Sequence, residues 1–127
     1  MNRILVVDDA KDINTLICTT LRNNKFDPVP AYDGEEACQI LSTDKNFSIV
    51  ITDVIMPHRD GLDLINFIEE NNIHIPIIGM SGGGQVISGD IALKSIEQKT
   101  IAVLKKPFKP DILLKHINDI LKQNKLA

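Results

Sequence analysis

Five side chains able to do chemistry each close a short apolar run. Asp8 and Asp9 follow Ile4-Leu5-Val6-Val7, and Asp53 follows Ser48-Ile49-Val50-Ile51-Thr52. Ser81 follows Ile77-Ile78-Gly79-Met80, and Lys106 follows Ile101-Ala102-Val103-Leu104-Lys105. In an open parallel α/β sheet, ligands bind beyond the carboxyl ends of the strands. If the four runs are neighbouring parallel strands, three carboxylates, a hydroxyl and an ammonium converge on one pocket. Carboxylates so close repel each other, and a hard divalent cation such as Mg2+, which takes oxygen ligands, offsets that repulsion. Cation, ammonium and hydroxyl together supply the charge neutralisation and positioning that a transferring phosphoryl group needs. A carboxylate can itself be the nucleophile and form an acyl phosphate. Asp53, the lone acid at its strand end, is the candidate nucleophile. Asp8 and Asp9 are the candidate metal pair.

The elements that must position these groups follow from the pattern. Strands alternate with helical stretches, which reads as repeated βα units. The first helix is expected near Lys11 to Asn24, with Ile13, Leu16, Ile17, Thr20 and Leu21 on one face. Asp27 to Ala31 is a strand carrying Pro28 and Pro30, which cannot donate ladder hydrogen bonds and so place it at an edge. Asp33 is an N-cap for the second helix, with Glu36 placed for a capping box. A third helix begins near Gly61, and a fourth, after Gly82-Gly83-Gly84, covers roughly Val86 to Glu97. Pro110 opens the last, whose apolar face is Leu113, Ile117, Ile120 and Leu121. The sum is a doubly wound (βα)5 α/β fold of flavodoxin-like type, a five-stranded parallel sheet in the order 2-1-3-4-5. That order puts strands one and three side by side, so Asp8, Asp9 and Asp53 meet.

Composition narrows the function classes. The 127 residues suit one domain with a proper core, and 43% hydrophobic and 24% charged residues are ordinary for a globular chain. A net charge of −3 argues against a generic nucleic-acid binder. No apolar stretch has the length of a membrane span, and the chain enters a strand at once, leaving no room for a signal peptide. A cytoplasmic location is therefore expected, with no membrane and no nucleic-acid partner. Cys18 and Cys38 lie in helical patterns without metal-ligand spacing and read as reduced core thiols. His58, His74 and His116 also lack ligand spacing.

The succession Val7-Asp8-Asp9, Asp53 with Met56-Pro57 and Gly61, Ser81, and Lys106-Pro107-Phe108 resembles the receiver domain of bacterial two-component response regulators. The likeness spans the chain from Arg3 to the last helix, so that 1–127 reads as a single receiver domain with no effector domain. It implies a phosphorylation-controlled switch of a phosphorelay rather than an enzyme with an independent substrate. Asp53 would be the phosphoacceptor. Asp9 and Asp53 would bind Mg2+ directly together with the backbone carbonyl of Ile55, and Asp8 would act mostly through a water. Ser81 and Lys106 would contact the phosphoryl oxygens, and the Lys106–Pro107 bond would be cis. The implied partners are a histidine kinase or histidine phosphotransfer protein and an unknown downstream protein target.

The chain departs from the family pattern in places. Val103 stands where many members carry Tyr or Phe, and Gly82 where Ala is common. Ile55 and Gly83 occupy positions at which polar side chains orient the hydrolytic water in this family, so slow loss of phosphate is expected. Two other readings remain at this point: a Mg2+-dependent small-molecule phosphatase with Asp53 as nucleophile, or a receiver cut from a larger response regulator or hybrid kinase.

Overall fold

The structure is a computed structural model that describes residues 2–54, 61–81 and 99–126. Five strands, β1 (Arg3–Val7), β2 (Asp27–Ala31), β3 (Ile49–Asp53), β4 (Ile77–Ser81) and β5 (Ala102–Lys105), form one sheet in the order β2-β1-β3-β4-β5. Every neighbouring pair is parallel. The described helices are α1 (Lys11–Asn23), α2 (Gly34–Thr43), α3 (Gly61–Glu70) and α4 (Pro110–Leu126). The helix expected over Val86 to Glu97, and with it Gly82-Gly83-Gly84, lies outside the described residues, as do Ile55, Met56, Pro57 and His58.

Alternation along the strands divides the core into two layers. Leu5, Val7 and Val50 face one side with Ala37 and Leu41 of α2 and Leu64, Ile65 and Ile68 of α3. Ile4, Val6, Ile49, Ile51, Ile78 and Met80 face the other with Ile17 and Leu21 of α1 and Leu113, Ile117 and Ile120 of α4. Leu121, expected on the α4 face, packs at the margin of this second layer. Because both faces are covered, the central strands are continuous apolar runs.

The edge placement of β2 has a direct backbone reason. The Asp27 amide donates to the Asn2 carbonyl at 2.9 Å, on the β1 side. Amides two residues apart share a direction, so Pro28 and Pro30 lack their N–H on the open side, where no ladder is lost.

The buried stripe of α1 differs from the expected one. It consists of Asn14, Ile17, Cys18 and Leu21, whereas Leu16 is 62% exposed. The spacing 14-17-18-21 is the regular i, i+3, i+4, i+7 face, and choosing by hydrophobicity alone shifted it towards Leu16. Asp33 caps α2 as expected, its Oδ1 accepting from the Glu36 amide at 2.7 Å. The returning half of the box differs: Glu36 Oε2 accepts from the Tyr32 amide, at 3.5 Å. Cys18 and Cys38 are both buried and outside any disulfide, in agreement with core thiols.

Candidate functional site

The strand order brings all five reactive positions to the same end of adjacent strands. Asp8 and Asp9 follow β1, Asp53 ends β3, Ser81 ends β4 and Lys106 follows β5. The Asp8 backbone is fixed from the side of β2, where its amide donates to the Ala31 carbonyl at 3.1 Å. Lys106 is moored from β4, its amide donating to the Ser81 carbonyl at 2.7 Å. The Lys106–Pro107 peptide bond is cis. Lys105, one residue earlier, is exposed.

Lys106 is the electrostatic centre of the group. Its Nζ donates to Asp8 Oδ2 at 2.7 Å and to Asp53 Oδ2 at 2.9 Å. The Asp8 side chain is fully buried and that of Asp53 is 8% exposed. Burial by itself would lower the Lys106 pKa, but the hydrogen bonds and charges of Asp8 and Asp53 outweigh it and hold the ammonium above the ordinary lysine range. The second oxygen of Asp8 accepts from the Ala10 amide at 3.0 Å. Asp8 therefore also serves the start of α1, whose N-cap Ala10 has no side chain to offer.

Asp8, Asp9 and Asp53 each present a carboxylate oxygen, and these oxygens lie within 4.8 Å of one another. Asp9 is the exposed member, so the cluster opens to solvent on its side. Among the described residues, three carboxylates against one ammonium leave two negative charges, which a divalent cation cancels. The donor set is all hard oxygen, and the exposed side admits the waters that Mg2+ retains. On both counts the residues present fit this ion. Ser81, half-buried at the end of β4, stands on the strand between those of Asp53 and Lys106. Ile55 lies outside the described residues.

Next to the acids runs an apolar groove of about 180 Å³ lined by Ile13, Leu16, Ile17, Lys106, Pro107 and Phe108. A larger cavity of about 310 Å³ lies against α3 and the start of β4, where Lys99 is already paired with Glu69 at 2.9 Å. It is at the wrong end of the sheet for the acid chemistry.

Sequence reasoning missed Asn14. It is fully buried, and its Nδ2 donates to the carbonyls of Val6, Asp8 and Ala31. The available signal was its place on the 14-17-18-21 stripe, where an amide cannot sit without partners.

This fold and this cluster define a class, and the comparisons agree. The family model described as the response regulator receiver domain matches residues 4–118. The chain belongs to that family: it is a receiver domain of the kind found in two-component response regulators, a signalling domain phosphorylated on aspartate rather than a classical enzyme. The transcriptional regulatory protein CpxR of Escherichia coli strain K12 is 29% identical over 124 residues, which cover 98% of this chain and 51% of that protein. The alkaline phosphatase synthesis transcriptional regulatory protein PhoP of Bacillus subtilis is 28% identical over 125 residues, covering 98% of this chain and 50% of that protein. The chain thus spans about half the length of these curated relatives. Among solved structures, the receiver domain of the Francisella response regulator 1452 superposes with a TM-score of 0.83 at 31% identity, covering 98% of this chain and 99% of that one. A response regulator receiver domain protein from Clostridium thermocellum gives a TM-score of 0.86 at 27% identity, covering 99% and 98%. No helix among the described residues is long and apolar enough to cross a membrane.

Proposed function

We propose that Asp53 accepts the phosphoryl group, that Asp8, Asp9 and Asp53 hold Mg2+ with the carbonyl of Ile55, and that Ser81 and Lys106 bind the phosphoryl oxygens. The observation that carries this reading is the bridging of Asp8 and Asp53 by one ammonium inside a three-carboxylate cluster. An oxygen of Asp53 attacks phosphorus, the P–N bond of a phosphohistidine breaks, and its electron pair stays on the imidazole nitrogen. When bound, Mg2+ neutralises charge on the phosphoryl oxygens. Lys106 exchanges its contact with Asp53 for one with a phosphoryl oxygen. Ser81 donates its hydroxyl hydrogen to another.

The donor in this reading is a histidine kinase or histidine phosphotransfer protein. The groove beside the acids supports it, because Lys106 forms part of the groove wall and also bonds Asp53. A protein bringing phosphohistidine to Asp53 must cover that groove and Leu16 with it. The reading takes residues 1–127 as one receiver unit, supported by the family match over 4–118. Output then passes by docking to a protein target or by onward phosphotransfer in the cytoplasm.

The test is intact mass after incubation with a small phosphodonor. Wild type in Mg2+ gains one phosphoryl group, while Asp53→Asn, or wild type in chelator, gains none. Modification of Asp53→Asn at the wild-type rate would reject the assignment.

A further inference from the structure

Asparagine favours caps and turns over helix interiors, yet Asn14 sits in the first full turn of α1 with no exposed surface. Each side of its amide is committed. Nδ2 lies 3.3 Å from the Val6 carbonyl, 3.2 Å from that of Asp8 and 3.0 Å from that of Ala31. Oδ1 accepts from the Cys18 thiol at 3.3 Å, one turn further along the helix. The orientation is not interchangeable, since turning the amide over would aim its oxygen at three carbonyl oxygens.

The three carbonyls belong to two chain segments. Val6 and Asp8 are at the end of β1, and Ala31 ends β2. The Ala31 carbonyl also accepts from the Asp8 amide at 3.1 Å. One buried side chain therefore holds the Asp8 carbonyl, in the Asp8–Asp9 peptide, from within α1, while the neighbouring strand holds the Asp8 amide. Asp8 and Asp9 leave the sheet at this peptide. Their carboxylates converge with that of Asp53 only if its direction is kept.

We infer that Asn14 is a positioning residue for the metal-binding carboxylates, setting through the Asp8 carbonyl where Asp8 and Asp9 present their oxygens. The inference rests on the proposed Mg2+ site. It also makes a division: Asn14 touches the β1 and β2 ends but neither Asp53 nor Lys106, so it governs cation affinity rather than the nucleophile. Groups that orient ligands from behind typically change metal affinity by about tenfold or more when removed.

The experiment measures two quantities on the full chain, well below the unfolding midpoint of each variant. One is the Kd for Mg2+ by calorimetry. The other is the rate of phosphorylation by a small phosphodonor at saturating Mg2+. Asn14→Ala should raise the Kd about tenfold while leaving the saturated rate within about twofold of wild type. Cys18→Ala keeps Asn14 but removes the donor to its oxygen, and should raise the Kd by a smaller factor. Cys18→Ser restores an O–H donor and should bind Mg2+ as wild type does. This order separates positioning from packing, because both Cys18 variants alter the core but only one releases the amide. If Asn14→Ala does not fold, the Cys18 pair decides. Equal Kd for wild type, Asn14→Ala and Cys18→Ala overturns the inference alone, as does an equal rise in Kd for both Cys18 variants. Wild type that binds no Mg2+ overturns the site reading and the inference with it.

Discussion

Replacing Lys106 by Met keeps most of the side-chain volume and removes the positive charge that Asp8 and Asp53 share. Breaking a buried ion pair by deleting one partner costs about 3–5 kcal/mol, because the remaining charge is left uncompensated. Asp8 is fully buried, but the lysine side chain is 17% exposed and water reaches Asp53, so the lower end applies. A loss of about 3 kcal/mol in a domain of this size lowers Tm by about 12 °C. That figure holds in chelator. Added Mg2+ brings positive charge to the same carboxylates, so it should bind the variant about tenfold more tightly than wild type and recover about 1.4 kcal/mol of the deficit. The assay is thermal unfolding followed by far-ultraviolet circular dichroism, in chelator and across a Mg2+ titration, with the exposed Lys105→Met as control. A gap between wild type and Lys106→Met that is the same in chelator and in saturating Mg2+ would show that lysine and cation do not share these carboxylates. A Lys106→Met protein as stable as the control in chelator would refute the electrostatic account altogether.

The same pair gives a pH signature in chelator. The Lys106 pKa is raised in the folded state, so its stabilisation is complete below the unfolded lysine value of about 10.4 and is lost as pH rises through the folded value. The stability gap to Lys106→Met should be flat near neutrality and shrink only in the alkaline range, as read from unfolding curves at successive pH. Leu16→Glu should slow phosphotransfer from a protein donor about tenfold, the equivalent of about 1–2 kcal/mol of lost leucine burial, and leave modification by a small phosphodonor unchanged in the mass assay. Lys25 holds a φ of 68° at the end of α1. Lys25→Gly should therefore add about 0.5–1 kcal/mol in denaturant unfolding. The combined Ile55→Asn and Gly83→Glu variant should lose phosphate several-fold faster than wild type, measured by the decay of the phosphorylated mass; no acceleration would remove these positions from control of the lifetime.

Where burial on both faces dictates residue type, the fold was legible. The apolar runs at Ile4, Ile49 and Ile77 have no other stable use, and two prolines of equal parity can only belong to an open edge. The site was legible for the same reason, since reactive residues at the ends of such runs have one place to meet. What escaped were features with polar or atypical signals. Asn14 shares the buried face with Ile17 and Leu21 but does not look apolar. α1 and α3 both end in left-handed turns closed by paired backbone bonds, from Phe26 to Leu21 and from Ile73 to Ile68. The turn residues are Lys25 and Asn72 rather than the usual glycine. Arg3 was named only as the start of the family likeness. It binds Asp44 at 2.6 Å and lies over the Phe47 ring at 4.5 Å, contacts that depend on tertiary placement alone.

The contacts of Lys106 join residues 98 and 53 positions apart along the chain. On the proposed function, an isolated acceptor Asp53 would be present as soon as β3 had been synthesised. The bridged trio cannot exist until residue 106 has emerged and β5 has been added to the far side of the sheet. On that proposal, reactivity is deferred to the completed domain. A nascent or prematurely terminated chain offers a kinase only a loose set of acids, and the pool of chargeable molecules counts only those that have finished folding.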